Sequence, residues 1–144
     1  MADLSLKNTR LVTAWGVQQA GVAIENGRIV AIGSDSELPN SEQEIDCRGL
    51  LLFPGVFDPH VHLGGRTPYE DNIVTETRSA AAGGVTTFLQ YLRSPDPDYN
   101  VVTERISIAA ERTLVDTGFH FIVSGLDQAK DIKQFSERFG IVSF

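Results

Sequence analysis

From Leu50 to the last residue, runs of β-type apolar residues alternate with stretches of helical period, and this alternation limits the fold more than any other feature. Leu50 to Phe53 and Val56-Phe57 lead into a first strand ending near His62. Asp71 is placed to cap a helix that runs through Thr75 and Ala80 to a stop at Gly83-Gly84. Val85 to Leu92 forms a second, largely apolar strand. After a loop holding Pro95 and Pro97, Val102, Ile106, Ala109, Ala110 and Leu114 recur close to helical spacing and predict a helix over 101–114. Phe119 to Val123 makes a third strand, Gln128 to Phe139 a third helix closed by Gly140, and Ile141 to Phe144 the beginning of a fourth strand. Strands and helices in this order make a parallel sheet of βαβ units, an α/β fold.

The first fifty residues have a different texture. Two apolar runs flank Asn26-Gly27, a dipeptide that tolerates the positive φ of a two-residue hairpin, so Glu25 faces Arg28 and Ile24 faces Ile29. Leu4 to Leu6 and Arg10 to Thr13 read as further strands, and 34–41 is polar and turn-rich. Residues 1–50 are therefore expected to form a small β unit, and 51–144 an α/β unit. A (β/α)8 barrel needs about 250 residues and only about 95 follow Leu50, so the chain reads as part of a longer one. A closed three-layer sandwich is the alternative.

Nineteen acidic against twelve basic residues give a net charge of −7, with the basic residues scattered. That distribution argues against nucleic acid and against an anionic membrane as partners. No apolar run has the length of a signal peptide or a membrane span, so a cytoplasmic protein is expected. Cys47 stands alone, between Asp46 and Arg48, and reads as packing filler rather than a nucleophile.

The chemistry concentrates in the segment from Pro54 to His62, Pro-Gly-Val-Phe-Asp-Pro-His-Val-His. Side chains on a strand alternate with period two, which predicts Asp58, His60 and His62 on one side. Two neighbouring imidazoles on a rigid strand can hold one divalent ion and leave positions open for other ligands. Asp58 in phase could accept a hydrogen bond from a ligand imidazole and fix its tautomer. Pro59, lacking an N–H, suits a strand end, and the ends of barrel strands are where barrel enzymes keep their active sites. The competing reading is a chance His-x-His pair with no ligand. His120, with no acidic or histidine neighbour in phase, reads as structural.

Residues 54–62 resemble the first-strand signature of the amidohydrolase superfamily, and Glu44 to Phe53 resembles its lead-in. Ala80 to Thr87 resembles the helix-to-strand junction of the cyclic-amidohydrolase branch, which contains dihydropyrimidinases, hydantoinases, allantoinases and dihydroorotases. The resemblance implies the N-terminal part of a metal-dependent (β/α)8 TIM barrel, preceded by strands of a small β-sandwich domain. It implies His60 and His62 as ligands of one of two divalent metal ions, most simply zinc, with a carbamylated lysine just beyond Phe144 bridging the pair. Asp58 would support those ligands from the second layer, and Leu63, Gly64 and Gly65 would line the substrate pocket, unless 63–68 is only a glycine-rich turn. The substrate would be a small cyclic amide, and the assembly a homotetramer.

Within the branch, dihydroorotases carry an arginine two residues after the second histidine, where this chain has Gly64, with Arg66 two residues further on. Their asparagine-bearing turn is replaced by Gln90 to Ser94. Residues 69–72 and the third unit look closer to dihydropyrimidinase and hydantoinase, with allantoinase as a close alternative. A non-catalytic, dihydropyrimidinase-like scaffold protein is the rival from another class, and the presence of both His60 and His62 speaks against it.

Overall fold

A computed structural model describes residues 1–144 as two compact units, Met1–Pro54 and Gly55–Phe144. No helix in either is long and apolar enough to cross a membrane.

The first unit is all β: β1 (Ala2–Lys7), β2 (Arg10–Thr13), β3 (Gly16–Gln19), β4 (Gly21–Glu25), β5 (Arg28–Gly33), β6 (Ser41–Asp46) and β7 (Leu51–Leu52). One sheet has the order β5-β4-β1-β6 and another β3-β2-β7. The β4–β5 hairpin turns on Asn26 and Gly27 at φ 51° and 70°, and Glu25 pairs with Arg28 and Ile24 with Ile29 as expected. The Asp3 carboxylate holds this turn by accepting the Asn26 N–H at 2.6 Å. A small core of Leu11, Ala20 and Val22 is covered by Leu6, Ile24 and Leu52. The strands β3 and β6 have no counterpart in the sequence reading. Their side chains are almost wholly exposed, so no apolar alternation marks them.

The second unit contains β8 (Val56–Val61), α1 (Tyr69–Ala82), β9 (Val85–Leu92), α2 (Asn100–Arg112), β10 (Asp116–Phe121), α3 (Leu126–Lys130) and α4 (Ile132–Phe139). The strands are parallel in the order β10-β9-β8, with a helix between successive strands. Helix α1 begins after Pro68, whose fixed φ suits a helix start, and carries Glu70 and Asp71 where the macrodipole favours anions. It buries Tyr69, Ile73 and Thr77, one per turn, and releases the chain at Gly84, φ 86°. At the start of α2 the Asp96 carboxylate accepts the N–H groups of Asp98 and Asn100, which holds its pKa below the usual carboxylate range.

Two cores lie between sheet and helices. Leu63, Tyr69, Ile73, Phe88, Ala109 and Val115 form one; Leu92, Tyr99, Val102, Phe121, Phe135 and Ile141 form the other, with the Phe121 and Phe135 rings stacked at 4.1 Å. The predicted third helix is broken in two at Asp131. Its carboxylate accepts the Tyr99 hydroxyl at 2.8 Å, and burial together with that carboxylate pushes the Tyr99 phenol up to about 12. The predicted fourth strand is reduced to one backbone bond, from Phe121 N–H to the Ser143 carbonyl, while Ile141 is buried.

A histidine pair at the carboxyl ends of three parallel strands

His60 and His62 stand at the carboxyl end of β8, and Tyr91 and His120 occupy the matching ends of β9 and β10. In parallel ladders, side chains at paired positions share a face. Tyr91 pairs with His120, and Gly118 with Leu89, on the face opposite to that of the buried Phe88, Gln90 and Leu92. The two imidazoles therefore project from the face of the sheet that carries no helix, and both are exposed.

Their geometry is that of a converging pair. The Nε2 atoms lie 3.0 Å apart, the ring centroids 5.0 Å apart, and the planes are inclined by 63°. Two nitrogens on one tetrahedral ion at ~2.0–2.1 Å sit about 3.3 Å from each other, so a slight opening of the pair admits a divalent ion between them. At this separation one ring donates its Nε2–H to the other. Tyr91 packs against both, 4.4 Å from the His60 centroid and stacked at 20° and 5.2 Å on His62. No group of three or more His, Cys, Asp or Glu side chains placed to hold a metal ion gathers in the chain.

The phase expected for Asp58 is not observed. The β8–β9 ladder pairs Asp58 with Phe88 and Val61 with Gln90, three residues against two, so a bulge intervenes. Pro59, which has no N–H to give to the ladder, sits at that break. As a result Asp58 shares the phase of Val61, which packs on the helix-side core, and lines a cleft with Glu76, Ser79 and Ala80 of α1. Its carboxylate accepts the backbone N–H of His60 at 3.0 Å, not a hydrogen from an imidazole.

Of the three residues expected to line a substrate pocket, Leu63 is turned into the core, in the phase of Val61, and so serves packing. Gly64 is held by its N–H, which donates to the Asn72 side chain at 2.8 Å, and Gly65 is exposed. Gly64 has φ 75°, and a Cβ there would lie 3.2 Å from the Arg105 guanidinium and 3.3 Å from the Tyr69 ring, so the position demands glycine. Beneath this loop the Tyr69 hydroxyl donates to the buried Gln90 at 2.9 Å, and burial raises the Tyr69 pKa against the opposing effects of Gln90 and Arg105.

His120, read from the sequence as structural, lies in the same cluster. Its ring is 4.7 Å from Tyr91, with Nε2 3.2 Å from the Pro59 carbonyl and Nδ1 bonded to the Ser143 hydroxyl. Nothing in its immediate sequence signals this, because its partners lie on β8, on β9 and beyond α4.

No family model matches the chain. It is similar to an allantoinase of Solibacter usitatus, 40% identical over 118 residues, 81% of this chain and 24% of the relative. A dihydroorotase of Methanosarcina mazei is 31% identical over 150 residues, 100% of this chain and 32% of the relative. Among solved structures, a crystal structure of D-hydantoinase superposes with a TM-score of 0.83 at 31% identity, covering 98% of this chain and 32% of that one. The chain thus spans about a quarter to a third of the length of these relatives. Likeness in sequence to an allantoinase and a dihydroorotase, and in fold to a D-hydantoinase, carries a single conclusion: the chain belongs to the cyclic amidohydrolase branch of the amidohydrolase superfamily.

Proposed function

We propose that the protein carrying this chain hydrolyses a cyclic amide C–N bond of the hydantoin or dihydropyrimidine class, with His60 and His62 as ligands of a divalent ion. The observation that carries this reading is the 3.0 Å approach of their Nε2 atoms at the carboxyl ends of parallel strands. Within it, the first unit, with Leu51 and Leu52 of β7, belongs to a β-sandwich and the second, from Gly55, to the first half of a (β/α)8 barrel. The cofactor is a pair of divalent ions, taken as zinc and bridged by a carbamylated lysine that follows Phe144, in a cytoplasmic homotetramer.

A bound ion of this kind lowers the pKa of a coordinated water and polarises an amide carbonyl. The residues of this chain supply the setting. His60 and His62 present neutral nitrogens from a strand, which fixes their separation better than a loop would. Tyr91 covers one side of the pair and keeps water from it there. Asp58 secures the backbone of His60 at the bulge. Gly64 and Gly65 offer a backbone surface beside the histidines, without side chains to obstruct a ring.

Gly64 also bears on the substrate. An arginine at this position would meet Arg105 and Tyr69 at once and would need a left-handed backbone. A substrate carboxylate, as in dihydroorotate, therefore has no partner at position 64, which favours uncharged rings. Allantoin, itself a substituted hydantoin, is the second reading, favoured by the 40% identity to an allantoinase.

A hydrolysis panel of dihydrouracil, hydantoin, allantoin and dihydroorotate on the full-length, metal-loaded protein tests the proposal. Turnover of hydantoin or dihydrouracil above the other two is expected. Preference for dihydroorotate would contradict the Gly64 argument, and inactivity on all four with a full metal complement would contradict cyclic-amide hydrolysis.

A further inference from the structure

We infer that His120 is a positioning residue for the His60–His62 pair, acting by holding the Pro59–His60 peptide group; the inference rests on the metal reading above. The peptide in question lies at the bulge of β8, where the register against β9 slips between Asp58 and Val61. A backbone group at such a slip loses its ladder partner and must find another or remain unsatisfied. Here both of its polar atoms are taken by side chains. The N–H, on His60, donates to the Asp58 carboxylate at 3.0 Å, and the C=O, on Pro59, lies 3.2 Å from His120 Nε2.

The carbonyl can only accept, so Nε2 of His120 is the protonated nitrogen in this contact. In the neutral ring Nδ1 is left to accept from the Ser143 hydroxyl. His120 thus reaches from β10 across β9, with Tyr91 beside its ring, to a peptide of β8 that lies within the second slip of register against β9. Two strand spacings, roughly 10 Å, separate β8 from β10, so the contact fixes a distance that β9 alone does not set. His60 follows directly on that peptide. Rotation of the peptide would swing its imidazole away from His62, because backbone and ring move as one at a fixed rotamer. His120 itself has both nitrogens engaged and contributes no free donor to an ion.

The side-chain amides separate the two bonds. Glutamine places an amide N–H at the reach of Nε2 and can still hold Pro59; asparagine reaches only as far as Nδ1 and can hold Ser143 alone. The full-length protein and its His120→Gln, His120→Asn and His120→Ala variants would be titrated with zinc against a chelator, and their cobalt(II) forms compared by visible absorption. His120→Asn and His120→Ala are expected to weaken zinc binding by roughly 10–100-fold and to shift the cobalt bands, as loss of a supporting contact does. His120→Gln should remain within about threefold of the parent with unshifted bands.

Parent-like affinity in His120→Ala, or equal losses in His120→Gln and His120→Asn, would overturn the inference. Failure of His120→Gln to fold would overturn it too, since that variant keeps the proposed contact. A His60→Ala/His62→Ala protein run alongside tells the two failures apart. If it still binds zinc as tightly as the parent, the metal reading falls; if it loses zinc while His120→Ala binds with the parent's affinity, only the inference about His120 falls.

Discussion

Strands β8 and β9 lie side by side in one sheet and differ in almost every respect. β9 runs for eight residues, buries Phe88, Gln90 and Leu92 at every second position, and pairs with β10 without interruption. β8 has six residues, slips register twice against β9 and buries none of its side chains fully. The regular strand is a scaffold, whose every residue is fixed by a ladder bond or by packing. The irregular one carries the histidines, and at the point of slippage its backbone is held by Asp58 and His120 instead of by the sheet. Regularity is abandoned where side chains must be re-aimed, as bulges beside functional sites generally do.

Substitutions on the two strands should therefore fail in different ways. The largest effect is expected from replacing His60 and His62 together with alanine: loss of tight zinc binding and of activity, with an unchanged circular dichroism spectrum, as measured by metal analysis and assay of the full-length protein. On β9, Phe88→Ala should cost about 3–5 kcal/mol of stability through a cavity among Leu63, Ile73 and Val115, read as a lower urea midpoint, while the folded fraction keeps its zinc. Loss of zinc affinity in the folded Phe88→Ala protein would erase the distinction between scaffold and site.

Tyr69→Phe is expected to be milder, about 1–3 kcal/mol, because Gln90 loses the hydroxyl that its buried carbonyl accepts. The phenol has its pKa raised on folding, so its contribution is complete below the unfolded tyrosine value near 10 and fades as pH rises through the raised one. Tyr69→Phe should accordingly flatten part of the alkaline decline of the melting temperature. The smallest effect, about 1 kcal/mol, is expected for Asp58→Ala, which frees a single exposed N–H; Asp58→Asn keeps an acceptor and should restore it.

The order of elements in the second unit was legible because α1, α2 and β9 obey simple periods. The Asn26-Gly27 hairpin was legible for the same reason, its register following from the turn. Strands β3 and β6 were not, since exposed polar strands depend on neighbours that the local sequence does not name. Neither was the break at Asp131, which Tyr99 holds from 32 residues away. At the site, alternation correctly put His60 and His62 together but failed for Asp58, because it assumes an unbroken ladder and Pro59 breaks it. His120 was invisible for a related reason: its importance lies in a contact 61 residues distant in sequence.

In the proposed site His60 and His62 share one divalent ion. Anomalous diffraction at the zinc edge from crystals of the full-length, zinc-loaded protein addresses it directly. A peak within about 2.0–2.2 Å of both Nε2 atoms is expected. A zinc peak bound elsewhere, or coordinated by only one of the two rings, would contradict it.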